Sequence, residues 1–134
     1  MPTLAALFKG LADDTRLAMV ALLLRHGELC VCDLEHTLQV TQSKASRHLR
    51  YLEAAGLLEH RRDAQWVFYR IARPESAAQK AITAALRRLL QGAEFDELDR
   101  KLQRWIASKQ ASGETCKAPA ARDRTRTNLR EARS

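Results

Sequence analysis

Cys30 and Cys32 stand one residue apart in the string Glu28-Leu29-Cys30-Val31-Cys32-Asp33-Leu34. Thiolates select soft ions, so a site built on this pair excludes calcium and magnesium and suits zinc, cadmium, lead, or trivalent arsenic and antimony. The spacing restricts how such a site works. At about 3.6 residues per turn, residues two apart on a helix point to nearly opposite sides. Both sulfurs reach one ion only if the segment is extended or becomes so on binding. Occupancy should therefore strain or unwind the start of the following helix. A helix N-terminus also lowers a thiol pKa, which favours the ligating thiolate. Two other readings stand beside this one: cysteines buried as small apolar residues, and a redox dithiol. Cys116, between Thr115 and Lys117, is either a third ligand or a bystander.

The elements that must position this pair follow from pattern and composition. The chain has 134 residues, with 23 Lys and Arg against 16 Asp and Glu and a formal net charge of +7. That excess suits a polyanionic partner through attraction to phosphate and counterion release, the plainer alternative being a solvated basic surface. With 5% aromatic residues, a base-stacking single-strand binder is disfavoured relative to a duplex reader. Three cysteines, two of them nearly adjacent, do not make a secreted disulfide framework. No apolar run reaches membrane-spanning length, and no signal segment opens the chain. We expect a cytoplasmic protein with reduced thiols and no membrane partner. No internal repeat of roughly 20–50 residues is present.

Leu4, Leu7, Phe8 and Leu11 recur at helical spacing. Asp13 or Asp14 caps a second helix, with Leu17, Val20, Ala21 and Leu24 on its apolar face and Gly27 at its end. A short helix is expected over residues 33–38. Thr41 then caps a helix reaching Ala55, and Gly56 supplies its left-handed end. Residues 57–62 and 66–71 are rich in strand formers around the polar turn Asp63-Ala64-Gln65, a small antiparallel hairpin. In its second strand Val67, Tyr69 and Ile71 share the core face by alternation, with Trp66 and Phe68 as packing residues. Glu75 opens an alanine-rich helix. After Gly92, Phe95, Leu98, Leu102 and Trp105 have the spacing of a coiled-coil seam. The fold class expected is mainly α with a small β-hairpin: a winged helix-turn-helix with N- and C-terminal dimerisation helices. Residues 1–92 form the DNA-binding and dimerisation domain, and 93–111 a C-terminal helix. Residues 112–134 form a basic tail, too poor in large apolar residues to offset chain entropy by burial and so expected to be disordered.

In the helix capped by Thr41, Ala45, Leu49 and Leu52 form an inward stripe, and Gln42, Ser43, Lys44, Ser46, Arg47 and Arg50 fall largely elsewhere. Small hydroxyls and an amide near the N-terminal turn fit a helix that meets base edges in the major groove, and the helix N-terminus attracts phosphate. Arg47 can bind guanine bidentately and Gln42 can read adenine. Arg61 and Arg62, beside the hairpin turn, can reach the neighbouring minor groove or its phosphates. A solvated polar face is the bland alternative; the short helix before and the hairpin after favour DNA.

The E-L-C-V-C-D-L string is followed by Ser43, Ser46, His48-Leu49, Leu52, Gly56-Leu57-Leu58 and Trp66-Val67-Phe68-Tyr69-Arg70. Together they resemble the ArsR/SmtB family of metalloregulatory repressors, and most closely its arsenical-resistance repressors, over roughly residues 4–90. The resemblance implies a homodimer that binds a palindromic double-stranded operator when ion-free and releases it when inducer binds, with Cys30 and Cys32 matching the inducer ligands. Such repressors often carry a third cysteine three residues after the second. That position here is Glu35, a hard carboxylate and a poor substitute on a soft ion, which leaves Cys116, a small cellular thiol, or nothing. The family's cadmium and lead sensors add an N-terminal cysteine, and none precedes Cys30. Its zinc sensors use acidic and histidine ligands on the last long helix, and no histidine follows His60. The inducer expected is arsenite or antimonite, and no cofactor is required. The alternative is a thiol redox- or cadmium/lead-responsive repressor on the same fold. His26, His36 and His60 read as surface residues, and His48 as structural or a phosphate contact. No phosphate-type loop surrounds either cysteine and no base stands beside them, so an enzyme is not expected.

Overall fold

A computed structural model describes residues 3–112; Cys116 and the basic tail lie outside them. Among the described residues six helices and three strands run in the order α1 (Leu4–Leu11), α2 (Asp14–His26), β1 (Glu28–Cys30), α3 (Val31–Leu38), α4 (Gln42–Ala54), β2 (Leu58–Asp63), β3 (Trp66–Ile71), α5 (Ala77–Leu89) and α6 (Ala93–Ser112). No helix among the described residues is long and apolar enough to cross a membrane.

Local chemistry explains most helix starts. Thr3, Asp13, Thr41 and Ser76 each accept, through a side-chain oxygen, the amide N–H three residues on, at 3.0–3.1 Å. Such caps satisfy donors that the first helical turn leaves open. α5 thus begins at Ala77, capped by Ser76, two residues after the expected start at Glu75. Its Gln79 is buried and donates through Nε2 to the Gly56 carbonyl at 3.3 Å, tying α5 to the end of α4.

The sheet differs from expectation. A third strand, β1, joins the hairpin, giving the antiparallel order β1-β3-β2. Three residues are too few to show alternation; only pairing with β3, Leu29 opposite Tyr69 and Cys30 opposite Phe68, makes them a strand. Tyr69 faces the main core with Leu29 and Leu58, as alternation predicts. Phe68, on the opposite face, is completely buried as well, in a second small apolar cluster with Cys30, Cys32 and Trp66.

The main core gathers α2, α3 and α4 around Met19, Leu22, Leu23, Leu34, Leu49 and Leu52. Gly10 lets α1 lie close to the end of α4, where a Cβ would stand 3.0 Å from that of Ala55. The apolar seam of α6 is filled within this chain: Leu102 is fully buried, and Phe95, Leu98, Trp105 and Ile106 pack on the same core.

Candidate ion site and nucleic-acid interface

The thiol pair straddles a strand–helix junction. Cys30 ends β1 and is the N-cap of α3 with extended backbone (φ −74°, ψ 153°), and Cys32 lies in the first helical turn. α3 therefore begins two residues earlier than its periodicity suggests, because Asp33 closes the cap: its Oδ2 accepts the Cys30 amide N–H at 3.0 Å. Both cysteines pack into the Phe68 cluster on the outer face of the sheet. Cys32 is half-buried; it can serve as a ligand only when reduced. Among the described residues no three His, Cys, Asp or Glu side chains gather as a metal site.

The electrostatics of Cys30 contradict the expected thiolate. It is 2% exposed, and burial pushes its thiol up to about 12, with the Asp33 carboxylate adding to the effect. The helix N-terminus does not prevail because removing a charge from water outweighs a partial dipole.

Around this junction the structure assembles residues that pattern reading passed over. Asp33 is 1% exposed. Its Oδ1 accepts hydrogen bonds from Trp105 Nε1 at 2.9 Å and from Lys109 Nζ at 2.6 Å, both on α6. The Asp33–Lys109 ion pair is buried on both sides, an arrangement tolerated only because each charge has its partner. His36, exposed as expected, stacks on Trp105 with ring centroids 3.8 Å apart and planes 8° from parallel. The signal for Lys109 was present. Continuing the seam 95, 98, 102, 105 by four residues lands on 109, a lysine in an apolar stripe.

In α4, Ala45, Leu49 and Leu52 are fully buried, as their spacing predicts. Thr41, Gln42, Ser43, Lys44, Arg47 and Arg50 are exposed, and Ser46 is half-buried. The Thr41 hydroxyl oxygen accepts the Lys44 amide at 3.1 Å as the cap, and Ser43 Oγ accepts from the Arg47 guanidinium at 3.5 Å. Arg16 anchors the back of this helix: it donates to the Gly10 carbonyl at 2.7 Å, meets His48 Nδ1 at 3.1 Å and lies over the Tyr51 ring at 4.2 Å. His48 is thus a packing partner of α2, and burial lowers its pKa. In the hairpin, Arg62 is exposed. Arg61 is held across the sheet by Glu28 through two hydrogen bonds of 2.8 Å and covers the Phe68 ring. Of the residues expected to contact DNA, Arg61 instead covers the thiol cluster.

Comparison with known proteins places this arrangement. The family model described as "Bacterial regulatory protein, arsR family" matches residues 13–60. The chain is 58% identical over 64 residues to the arsenic resistance transcriptional regulator ArsR1 of Pseudomonas putida, covering 48% of this chain and 50% of that one. It is 39% identical over 67 residues to a helix-turn-helix transcriptional regulator of Methanocaldococcus jannaschii, covering 50% of this chain and 75% of the other. Among solved structures it resembles HlyU from Vibrio cholerae, with TM-score 0.54 and 38% identity over 63% of this chain and 88% of that chain. The chain spans about half the length of the Pseudomonas relative. The matched family and these relatives are transcriptional regulators and not enzymes. With its winged-helix fold and a family match running from the cap of α2 into β2, the chain belongs to the arsR family of bacterial regulatory proteins.

Proposed function

We propose that the chain is a cytoplasmic, homodimeric, DNA-binding repressor that releases a palindromic operator when trivalent arsenic or antimony is held by the reduced thiols of Cys30 and Cys32. The observation that carries this reading is position. The pair forms the N-cap and first turn of α3, and Leu34 of α3 shares a core with Leu49 and Leu52 of α4. Two soft sulfurs suit a soft ion, and the relative from Pseudomonas putida, named for arsenic resistance, supports that choice.

Operator contacts are assigned to Thr41, Gln42, Ser43, Lys44, Ser46, Arg47 and Arg50 in α4, with Arg62 and, once it leaves Glu28, Arg61 at the hairpin. The exposed apolar Leu4, Phe8 and Leu89 on α1 and α5 suit the dimer contact, since α6 has its seam filled within the chain. Cys30 is the N-cap and Cys32 stands in the first turn of α3, so an ion held by both bears on the start of α3 and, through the shared core, on α4. A coupling of about 1–3 kcal/mol changes operator affinity by roughly 5–150-fold, and it is reciprocal.

Cys32→Ser should bind operator like the parent in a reducing buffer but no longer release it with arsenite, as read by anisotropy of labelled operator DNA. Release by arsenite at the parent concentration would place the sensing site elsewhere. Cys116→Ser in the same assay decides whether the third sulfur comes from the chain. Two cysteines one residue apart also admit a second reading, a thiol redox switch on the same fold; release by oxidant but not by arsenite would install it. Cadmium and lead belong in the same titration series.

A further inference from the structure

The C-terminal helix touches the thiol segment through one buried carboxylate. Asp33 accepts the Cys30 amide with one oxygen and Trp105 and Lys109 with the other, while His36 stacks on the Trp105 ring. Lys109 lies buried at the far end of this chain of contacts, where its ammonium has left water in order to meet Asp33. A buried charge that loses its partner is strongly disfavoured. Movement of Asp33 and departure of α6 are therefore tied together.

We propose that α6 is a lock on the thiol junction: Lys109 and Trp105 hold Asp33, Asp33 holds Cys30 at the cap, and exposure of Cys30 and undocking of the α6 end are one event. Lys109, Trp105 and Asp33 act as positioning residues and not as ligands. The lock needs no inducer to exist. Its regulatory meaning rests on the function proposed above: an ion taken up by the Cys30 thiol disturbs the cap that Asp33 closes, loosening α6. By reciprocity, a docked α6 raises the inducer concentration needed for release.

The first test uses the full chain carrying Cys32→Ser and Cys116→Ser, so that Cys30 is the sole cysteine. The rate at which an aromatic disulfide reagent modifies Cys30 is compared with and without Lys109→Met. Lys109→Met should speed the reaction at least about tenfold, and Lys109→Arg should restore most of the protection; this magnitude assumes a modest opening equilibrium for a locally frayed helix end. A rate within twofold of the parent, in a variant whose circular dichroism shows it folded, overturns the lock.

The second test leaves the lock intact and so does not depend on that variant folding. The chain has two tryptophans, and Trp66→Phe leaves Trp105 as the only one. Modifying Cys30 should then at least double acrylamide quenching of Trp105, and unchanged quenching overturns the lock. Arsenite added to the reduced Trp66→Phe chain that keeps all three cysteines, on labelled operator, separates the two proposals. Operator release with increased Trp105 quenching supports both. Release with unaltered quenching overturns the lock and leaves the inducer reading standing. Failure of arsenite to release DNA overturns the inducer reading, while the reagent arms still decide the lock.

Discussion

α3 and α4 are neighbours in the chain and in space, yet they are built for opposite conditions. α3 buries a carboxylate that accepts from an indole and a lysine 72 and 76 positions further along the chain and from the Cys30 amide at the helix's own start. α4 buries only a narrow stripe, Ala45, Leu49 and Leu52, and presents most of its polar residues to solvent. The difference teaches where sensitivity belongs. A segment wired into the tertiary structure transmits any change made to it, and a polar face supported from behind can change partners without disturbing the fold.

The largest expected effect tests the wired side. Lys109→Ala leaves the Asp33 carboxylate buried without its counter-charge and should lower unfolding stability by about 3–5 kcal/mol in urea titration. Arg47→Ala, on the solvent side of α4, should stay within about 0.5 kcal/mol of the parent in the same measurement. Equal losses in the two variants would break the contrast.

The next effect reverses the roles. On operator DNA Arg47→Ala should lose about 1–3 kcal/mol of binding free energy, since a bidentate arginine–guanine contact discriminates by that much. Anisotropy titration at fixed salt checks it, and an unchanged affinity would move base reading to another face.

The smallest effect concerns how α4 is held from behind. The Asp13 carboxyl is kept below its ordinary value first by the Arg16 amide N–H, and then by the charges of Arg16 and His48. A carboxyl lowered by folding contributes stability that is present above its unfolded pKa and fades as pH falls through its folded value. Melting temperature should thus fall on acidification below about pH 4, and Asp13→Asn should flatten that limb slightly while keeping the cap. A steeper acid limb in Asp13→Asn would contradict the assignment.

Legibility followed range. Asp13 and Thr41 could be read as caps because a cap is a contact between residues three apart. The inward stripe of α4 could be read because helical spacing alone determines which side chains share a face. β1 was missed because three residues carry no period and acquire strand identity only from β3. The thiolate expected at Cys30 was wrong for a related reason. Its helix-start position is local, but its burial depends on Phe68 and Asp33, brought there by other elements, and desolvation outweighed the dipole. Arg61 looked like a free wing cation until the sheet order set it across β3 from Glu28.

The sequence by itself determined the winged helix, the polar face of α4 and the C-x-C pair, because periodicity, capping and soft-ligand chemistry are written in short strings. Tertiary structure alone decided that Cys30 is a buried neutral thiol at a strand end, and that Asp33, Trp105 and Lys109 meet. Burial and charge pairing across 76 positions of chain come into existence only when α6 has packed on α3. Until then each of these residues is an ordinary solvated side chain.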